Sequence, residues 1–515
     1  MQRAASSYAE RFDSAYGGLQ GAPKFPSSLP IRFLLRHHRR TGSEQSLKMA
    51  TLTLEKMAAG GMYDQVGGGF HRYSTDGQWR VPHFEKMLYD NALIAAAYVE
   101  GYQVTGREDF ARIAKEILRY VQRDMTSPEG AFYSASDADS PDPKGRREEG
   151  WFFTWTPVEI EAALRKELAR IVEAYYAVTS SGNFQGRNIL HAPKPLAEVA
   201  RELKLPLDQA CATIDESREL LYAARLKRPP PIRDEKILTA WNGLMISAHA
   251  RGALVLGDDD YAKRAVRAAD FVLSRMRREG RLLRSYKDGE ARHEGYLEDY
   301  AFFIAGLLDL YETTGSLRWL VEAIDLDRVL EKSYEDKNAG GFFLTSSEHE
   351  KLLAREKPSH DGAEPSGNSV QVMNLLRLNE FTTNDRYRQR AERVFRAFGD
   401  VLEKTPAALS EMLLAVDFHL CTPKEVVIVS PGSRGSAEPL LAQFRSTFLP
   451  NRILAVVPEG EELAEQAKVI PLIEHKVAQK GKATAYVCER GVCELPTTAP
   501  DVFARQLKKV QKLGN

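Results

Sequence analysis

Between Gly67 and Ala92 the chain reads GGGFHRYSTDGQWRVPHFEKMLYDNA. His71, Arg72, His83, Glu85, Tyr89 and Asp90 crowd into that stretch, all of them groups that donate, accept or move protons. Two other clusters carry the same chemistry. Glu298 and Asp299 stand side by side in YLEDYAFF, and HDGAEPSGNSV brings together His360, Asp361, Glu364, Ser366 and Asn368. Trp151, Trp155 and Trp241 offer flat faces of the kind that stack on sugar rings. Sugar chemistry needs either two carboxylates flanking a glycosidic bond or a base placed to take a proton beside a carbonyl. Asp90, Asp299 and Glu364 suit the first; His71, His83 and His360 suit the second, and the sequence does not choose between them. Asp90, Asp299, His71 and His360 are the candidate catalytic residues. Arg72, His83, Glu85, Tyr89, Trp155, Trp241, Asn242, Glu298, Glu364 and Asn368 are the candidate substrate-binding residues. The plainer alternative is that these groups cap helices and satisfy one another.

The elements that position them repeat. MLYDNALIAAAYVEGYQVTG (87–106), LTAWNGLMISAHARGALVLG (238–257), YLEDYAFFIAGLLDLYETTG (296–315) and PSGNSVQVMNLLRLNEFTTN (365–384) align, and PSSLPIRFLLRHHRRTG ending at Gly42 is a fifth copy. Each ends in Gly or Asn, residues suited to a left-handed helix cap. A second, amphipathic helical pattern follows, as in EDFARIAKEILRYVQRDM, and then a Gly-aromatic stretch such as GGGFHRYS or GGFFLTSSE. The unit is helix, turn, helix, extended loop. Its first helix is apolar all round and its second is charged on one face, which describes a buried inner layer inside a half-exposed outer one. Five units plus a weaker one between Trp155 and Leu226, with Thr156 and Pro157 as a helix start, predict a mainly α fold: an (α/α)6 toroid of helical hairpins. Segments 87–104 and 296–312 are expected inside, 108–124 and 319–334 outside. In this register Asp90 aligns with Asp299 and Asn368, and with Trp241 or Asn242, as a polar ring at one mouth. Phe70–Ser74 and Trp79–His83 read as a small hairpin over that mouth.

After about Pro423 the pattern changes to strand, turn and helix, so residues 1–422 are expected to form the toroid and 423–515 a small C-terminal α/β appendage. Its SPGSRG lacks the Lys-Ser/Thr end of a P-loop and reads as a structural cap. In YVCERGVCEL a turn at Arg490-Gly491 sets Cys488 opposite Cys493, a spacing compatible with a disulfide that a reducing cytoplasm would keep open.

Among 515 residues, 71 basic and 71 acidic side chains balance, so no global field favours nucleic acid or an anionic membrane. No apolar run is long enough to span a bilayer, no apolar N-terminal leader is evident, and the expected location is cytoplasmic. The four cysteines form neither a disulfide scaffold nor a zinc set. The acidic loop SASDADSPD has Asp142 where a calcium loop needs glycine. No metal and no cofactor is expected.

GAPKFPSSLPIRFLLR, GGMYDQVGGGFHRYSTDGQWRVPHFEKMLYDNA, GAFYSASDADS, EEGWFFTWTP, GNFQGRNILH, KILTAWNGLMI and HDGAEPSGNSV together resemble the spermatogenesis-associated protein 20 type of thioredoxin-domain proteins, over nearly the whole chain. The helical part of that family is similar to N-acylglucosamine 2-epimerases and six-hairpin glycosidases. The resemblance implies a carbohydrate-active enzyme of epimerase, isomerase or hydrolase type, or else a non-catalytic sugar-binding or protein-interaction module acting with a thioredoxin-like domain. Members usually begin with such a domain. This chain starts where it would end and has no Cys-x-x-Cys, so no thioredoxin redox role carries over. The partners the resemblance implies are a small sugar and a thioredoxin-like domain.

Overall fold

The computed structural model describes residues 1–349 and 353–510. Six inner helices, Ile31–Thr41, Leu88–Thr105, Thr239–Leu256, Leu297–Thr314, Gly367–Thr382 and Met412–Leu420, each pack on the next, and the last packs on the first. The ring is therefore closed, an (α/α)6 toroid. Five outer helices, Glu44–Ala59, Glu108–Asp124, Asp259–Arg275, Leu317–Ser333 and Asp385–Ala397, lie against the inner helix that precedes each. The layering follows composition. Leu88–Thr105 is buried on almost every face. Glu108–Asp124 buries Phe110, Ile113, Ala114, Ile117, Leu118 and Val121 and leaves Arg112, Lys115 and Arg119 in solvent.

Two inner helices touch most closely through glycine. A Cβ on Gly243 would lie 2.5 Å from the Phe302 carbonyl carbon, and one on Gly306 would lie 2.7 Å from the Gly243 oxygen. Any side chain there would push the helices apart. Gly106 ends its helix in the left-handed conformation, φ 68°, as its repeat position predicts. The fifth unit differs from expectation: Thr383 takes that conformation, and Asn384 caps the following helix by accepting from the Arg386 N–H.

The sixth hairpin is not the segment Trp155–Leu226. Helices Pro157–Ala163, Lys166–Tyr175, Leu196–Glu202 and Leu207–Arg225 pack on one another around their own core of Trp155, Ile160, Val172, Tyr176 and Leu221. Thr156 does start the first of them, in a capping box with Glu159. The sixth inner helix is Met412–Leu420, too short to announce itself by periodicity. Beside it the chain's first helix, Gln2–Glu10, packs against Pro406–Leu409 and Glu44–Ala59 in the outer layer.

The C-terminal sheet runs Arg452–Pro458, Lys424–Ser430, Thr484–Glu489, Val492–Cys493; its first pair is parallel and the rest antiparallel. Alternation divides its residues. Val427, Val429, Ile453, Ala455 and Val457 join the toroid core, while Val426, Ile428, Leu454 and Val456 meet Leu440, Phe444, Phe503 and Leu507 on the other face. In the SPGSRG loop, Arg434 donates to the Glu312 carbonyl at 2.9 Å, satisfying the end of an inner helix. Cys488 pairs with Cys493 as the turn requires, but the two are joined as a disulfide, which corrects the expectation that the thiols stay open.

Candidate active site at one mouth of the ring

The inner helices begin where the extended loops cross, and in four of them one side chain ties loop to helix. Asn91 Oδ1 accepts from the Phe70 N–H at 2.8 Å, and its Nδ2 donates to the Phe70 carbonyl at 3.0 Å. Asn242 does the same to Phe132 at 2.8 and 2.9 Å, and Asn368 to Phe342 at 2.7 and 2.9 Å. In the fourth helix the Tyr300 hydroxyl accepts from the Leu282 N–H at 2.9 Å. A carboxamide suits this task because it carries a donor and an acceptor side by side. Asn242 and Asn368 are fully buried in these clamps, which corrects the expectation that they contact substrate. The alignment also shifts by one: Asn368 matches Asn91, not Asp90.

Asp90, Trp241 and Asp299 occupy the position before the clamp. Asp299 Oδ1 accepts from the Ala240 N–H at 3.0 Å, and its Oδ2 accepts from the Tyr296 N–H at 2.8 Å and from Arg284 at 3.2 Å. It thus joins the starts of two neighbouring helices. The Arg284 guanidinium lies 4.5 Å from the Tyr296 ring centre. The Trp241 indole donates to Glu364, and its ring meets Tyr89 at 4.9 Å, edge to face. Arg72 bonds the Tyr89 hydroxyl and, at 2.9 Å, Glu85. His83 stands between Glu149, 2.7 Å from Nδ1, and Glu85, 3.3 Å from Nε2. The hairpin that carries it is shorter than expected, pairing only Tyr73–Ser74 with Pro82–His83. Asp90 is bonded to Ser27, and its Oδ2 is buried with no hydrogen-bond partner.

Burial raises several of the carboxyls at this mouth above the ordinary carboxylate range. Burial, reinforced by the like charges of Asp299 and Glu364, pushes Glu298 up to about 7. Burial pushes Asp299 up to about 6 against the pull of Arg284, and it raises Glu364 and, strongly, Asp90. Asp361, which accepts from the Ser366 and Glu411 N–H groups at 2.8 Å each, is also pushed by burial to about 6.

Three candidate residues lie elsewhere. His71 is buried, with Nδ1 2.9 Å from the Phe84 carbonyl and its ring packed edge-on against Phe84 and Phe153. Burial and the neighbouring Lys86 push it down to about 3, so it is a neutral ring beside the Asp64–Lys86–Arg225 ion cluster. His360 is exposed on the loop ahead of Gly367. Trp155 belongs to the core of the satellite helices, with the Arg228 guanidinium 3.9 Å from its ring centre. Its backbone distance from the mouth is invisible in composition alone. Conversely, Arg284 and Tyr296 were not among the expected residues. The signal was present: Arg72 and Arg284 each stand two positions after the clamped residue of their loop, Phe70 and Leu282.

Among the described residues no group of three or more His, Cys, Asp or Glu is disposed to hold a metal ion. In the acidic loop Asp142 pairs with Arg146 at 2.8 Å and Asp137 with Arg147 at 2.5 Å. No described helix is long and apolar enough to cross a membrane.

Compared with known proteins, the chain is 37% identical to human spermatogenesis-associated protein 20 over 526 residues, covering 95% of this chain and 67% of the human one. No family model matches it. Among solved structures it is similar to a sugar epimerase from a ruminal bacterium, at 14% identity and TM-score 0.33 over 76% of this chain and 96% of that one. It is also similar to the GH76 alpha-mannanase BT2949 of Bacteroides thetaiotaomicron, at 10% identity and TM-score 0.40 over 81% of each.

Proposed function

We propose a carbohydrate-active function for this chain, which belongs to the spermatogenesis-associated protein 20 family: a glycoside hydrolase-type enzyme working at the acidic mouth of the toroid. The observation that carries the reading is the pair Glu298 and Glu364. Both are half-buried, both are raised, and both meet the same Asp299–Arg284 contact. A carboxyl that still holds its proton near neutrality is the group that protonates a leaving glycosidic oxygen. In this reading Glu298 gives its proton to that oxygen as the bond to the anomeric carbon breaks, and Glu364, as carboxylate, takes a proton from the attacking water. Because the two acids interact, they titrate as a unit. Asp299 is a positioning residue: it holds Arg284 and fixes the helix start that carries Glu298. Trp241 and Tyr296 supply ring faces for the sugar, Tyr89 is buried and packs edge to face on Trp241, and Arg72 and Arg284 supply donors for the sugar hydroxyls. Asp90, its carboxyl raised by burial, lies buried beside Tyr89.

A sugar epimerase or isomerase is the second reading, favoured by His83, a half-buried ring held between Glu85 and Glu149. One experiment separates the two. Purified protein is incubated with a panel of glycosides and of free reducing sugars in deuterated water. Release of reducing ends, lost in Glu298→Gln and Glu364→Gln, supports the hydrolase. Deuterium entering the carbon beside the carbonyl, lost in His83→Ala, supports the epimerase. Saturable sugar binding without either reaction would make the chain a sugar-binding module, the reading in which a thioredoxin-like partner would matter.

A further inference from the structure

A second polar space lies inside the ring, away from that mouth. A cavity of about 90 Å³ is walled by residues from all six inner helices, and Phe448, Leu449 and Pro450 from the C-terminal region form part of its wall. Five guanidinium groups line it: Arg32, Arg36, Arg251, Arg377 and Arg452. Four carboxylates answer them. Glu100 pairs with Arg32 at 2.9 Å and Arg36 at 2.6 Å, and Glu411 with Arg32 at 2.9 Å. Asp309 pairs with Arg251 at 2.7 Å and Arg377 at 2.8 Å, and Glu312 with Arg452 at 2.9 Å. Five against four leaves one positive charge in excess, in a space where an uncompensated charge is costly.

Hydrogen bonding is incomplete in the same place. Arg36 Nε and Arg377 Nη2 are buried donors without a hydrogen bond; the latter lies 3.2 Å from Glu312 Oε1 but outside hydrogen-bonding geometry. Asn374 Oδ1 is a buried acceptor without a donor, while its Nδ2 donates to the Ala301 carbonyl and to Gln371 Oε1. Water would meet the unpaired donors and the acceptor but would leave the charge. We propose that this chamber binds a small tetrahedral oxyanion, dihydrogenphosphate, whose single negative charge matches the excess, whose bare oxygens accept from the arginines and one of whose O–H groups donates to Asn374. The Arg251 side chain is 27% exposed, which gives an ion a way in. The site is independent of the reading of the mouth.

Equilibrium dialysis of the full chain against radiolabelled inorganic phosphate at fixed ionic strength tests this. The expected result is saturable binding of one phosphate per chain, about tenfold tighter than sulfate, which lacks the O–H; that is the scale of one hydrogen bond to a charged group. Arg377→Met should weaken binding by about tenfold or more. If that variant does not fold, Arg377→Lys, which keeps the charge and loses the planar fork, should weaken it as well. Glu298→Gln at the mouth should leave it unchanged. Absence of saturable phosphate binding in the wild-type chain overturns the proposal. So does binding that survives both Arg377 variants, or binding lost in Glu298→Gln, which would place the ion at the mouth.

Discussion

Asn91 grips Phe70 by both ends of one residue's backbone, accepting from its N–H at 2.8 Å and donating to its carbonyl at 3.0 Å. The contact repeats around the ring, so it is a device of the fold rather than of one loop. Asn91→Ala leaves a buried N–H and a buried carbonyl unpaired, and each costs about 1–3 kcal/mol. The expected loss is about 2–5 kcal/mol in urea unfolding. Asn91→Asp should be no better, since it keeps the acceptor, loses the donor and buries a charge. A loss below about 0.5 kcal/mol, the scale of a plain surface substitution, would show that the clamp is incidental.

Asp64 is buried between Lys86, whose Nζ is 2.8 Å away, and Arg225, also at 2.8 Å. The cluster ties the satellite helix Leu207–Arg225 to the loop carrying His71. Arg225→Met strands part of that charge and should destabilise by about 3–5 kcal/mol. Gly67→Ala should act on the same cluster, because its Cβ would lie 1.9 Å from Arg225 Nη2. Thermal unfolding of both variants checks this, with satellite and ring expected to weaken together.

Glu425 on the strand Lys424–Ser430 is hydrogen-bonded to Glu380 on an inner helix, and burial together with that like charge pushes it up to about 7. Lys476 and the Gly491 N–H also face Glu425, while Asn379, Arg388 and Arg490 face Glu380. A raised carboxyl keeps its proton in the folded chain after the unfolded chain has lost it. Stability from this contact is therefore greatest below the ordinary value of 4.5 and falls as pH rises through about 7. Glu425→Gln should shrink the drop in urea midpoint between pH 5 and pH 8. An equal drop in wild type and variant would remove Glu425 as its source.

For the mouth, the proposed acid role of Glu298 sets a pH limb. With its carboxyl at about 7, kcat/KM for glycoside hydrolysis should fall above about pH 7 as the proton is lost. Glu298→Gln should reduce kcat by about 100-fold or more and abolish the limb. Asp299→Asn should shift the limb to lower pH, since it removes a neighbouring negative charge that raises Glu298. A limb that stays in place in Asp299→Asn would argue against Glu298 as the acid.

The sequence alone determined the elements and their layering. Apolar inner segments, amphipathic outer ones and glycine caps are local consequences of side-chain size and charge, so five hairpins could be read directly, as could the Cys488–Cys493 register across Arg490-Gly491. Carboxylates near the start of inner helices were legible for the same reason, which is why Asp90, Glu298, Asp299 and Glu364 were singled out. What tertiary structure decided were the choices between neighbours in sequence and partners far apart. Asn242 and Asn368 differ from Trp241 and Gly367 by one position, and only packing shows that this position faces a loop backbone rather than the mouth. His71 carries the chemistry of a base, but burial beside Lys86 holds it neutral and away from the acids. The sixth inner helix, Met412–Leu420, closes the ring against Ile31–Thr41 from the other end of the chain, while the better-patterned helices after Trp155 pack around a core of their own. A ring closes where its first and last faces fit, and that fit is a property of two surfaces brought together, which no local pattern records.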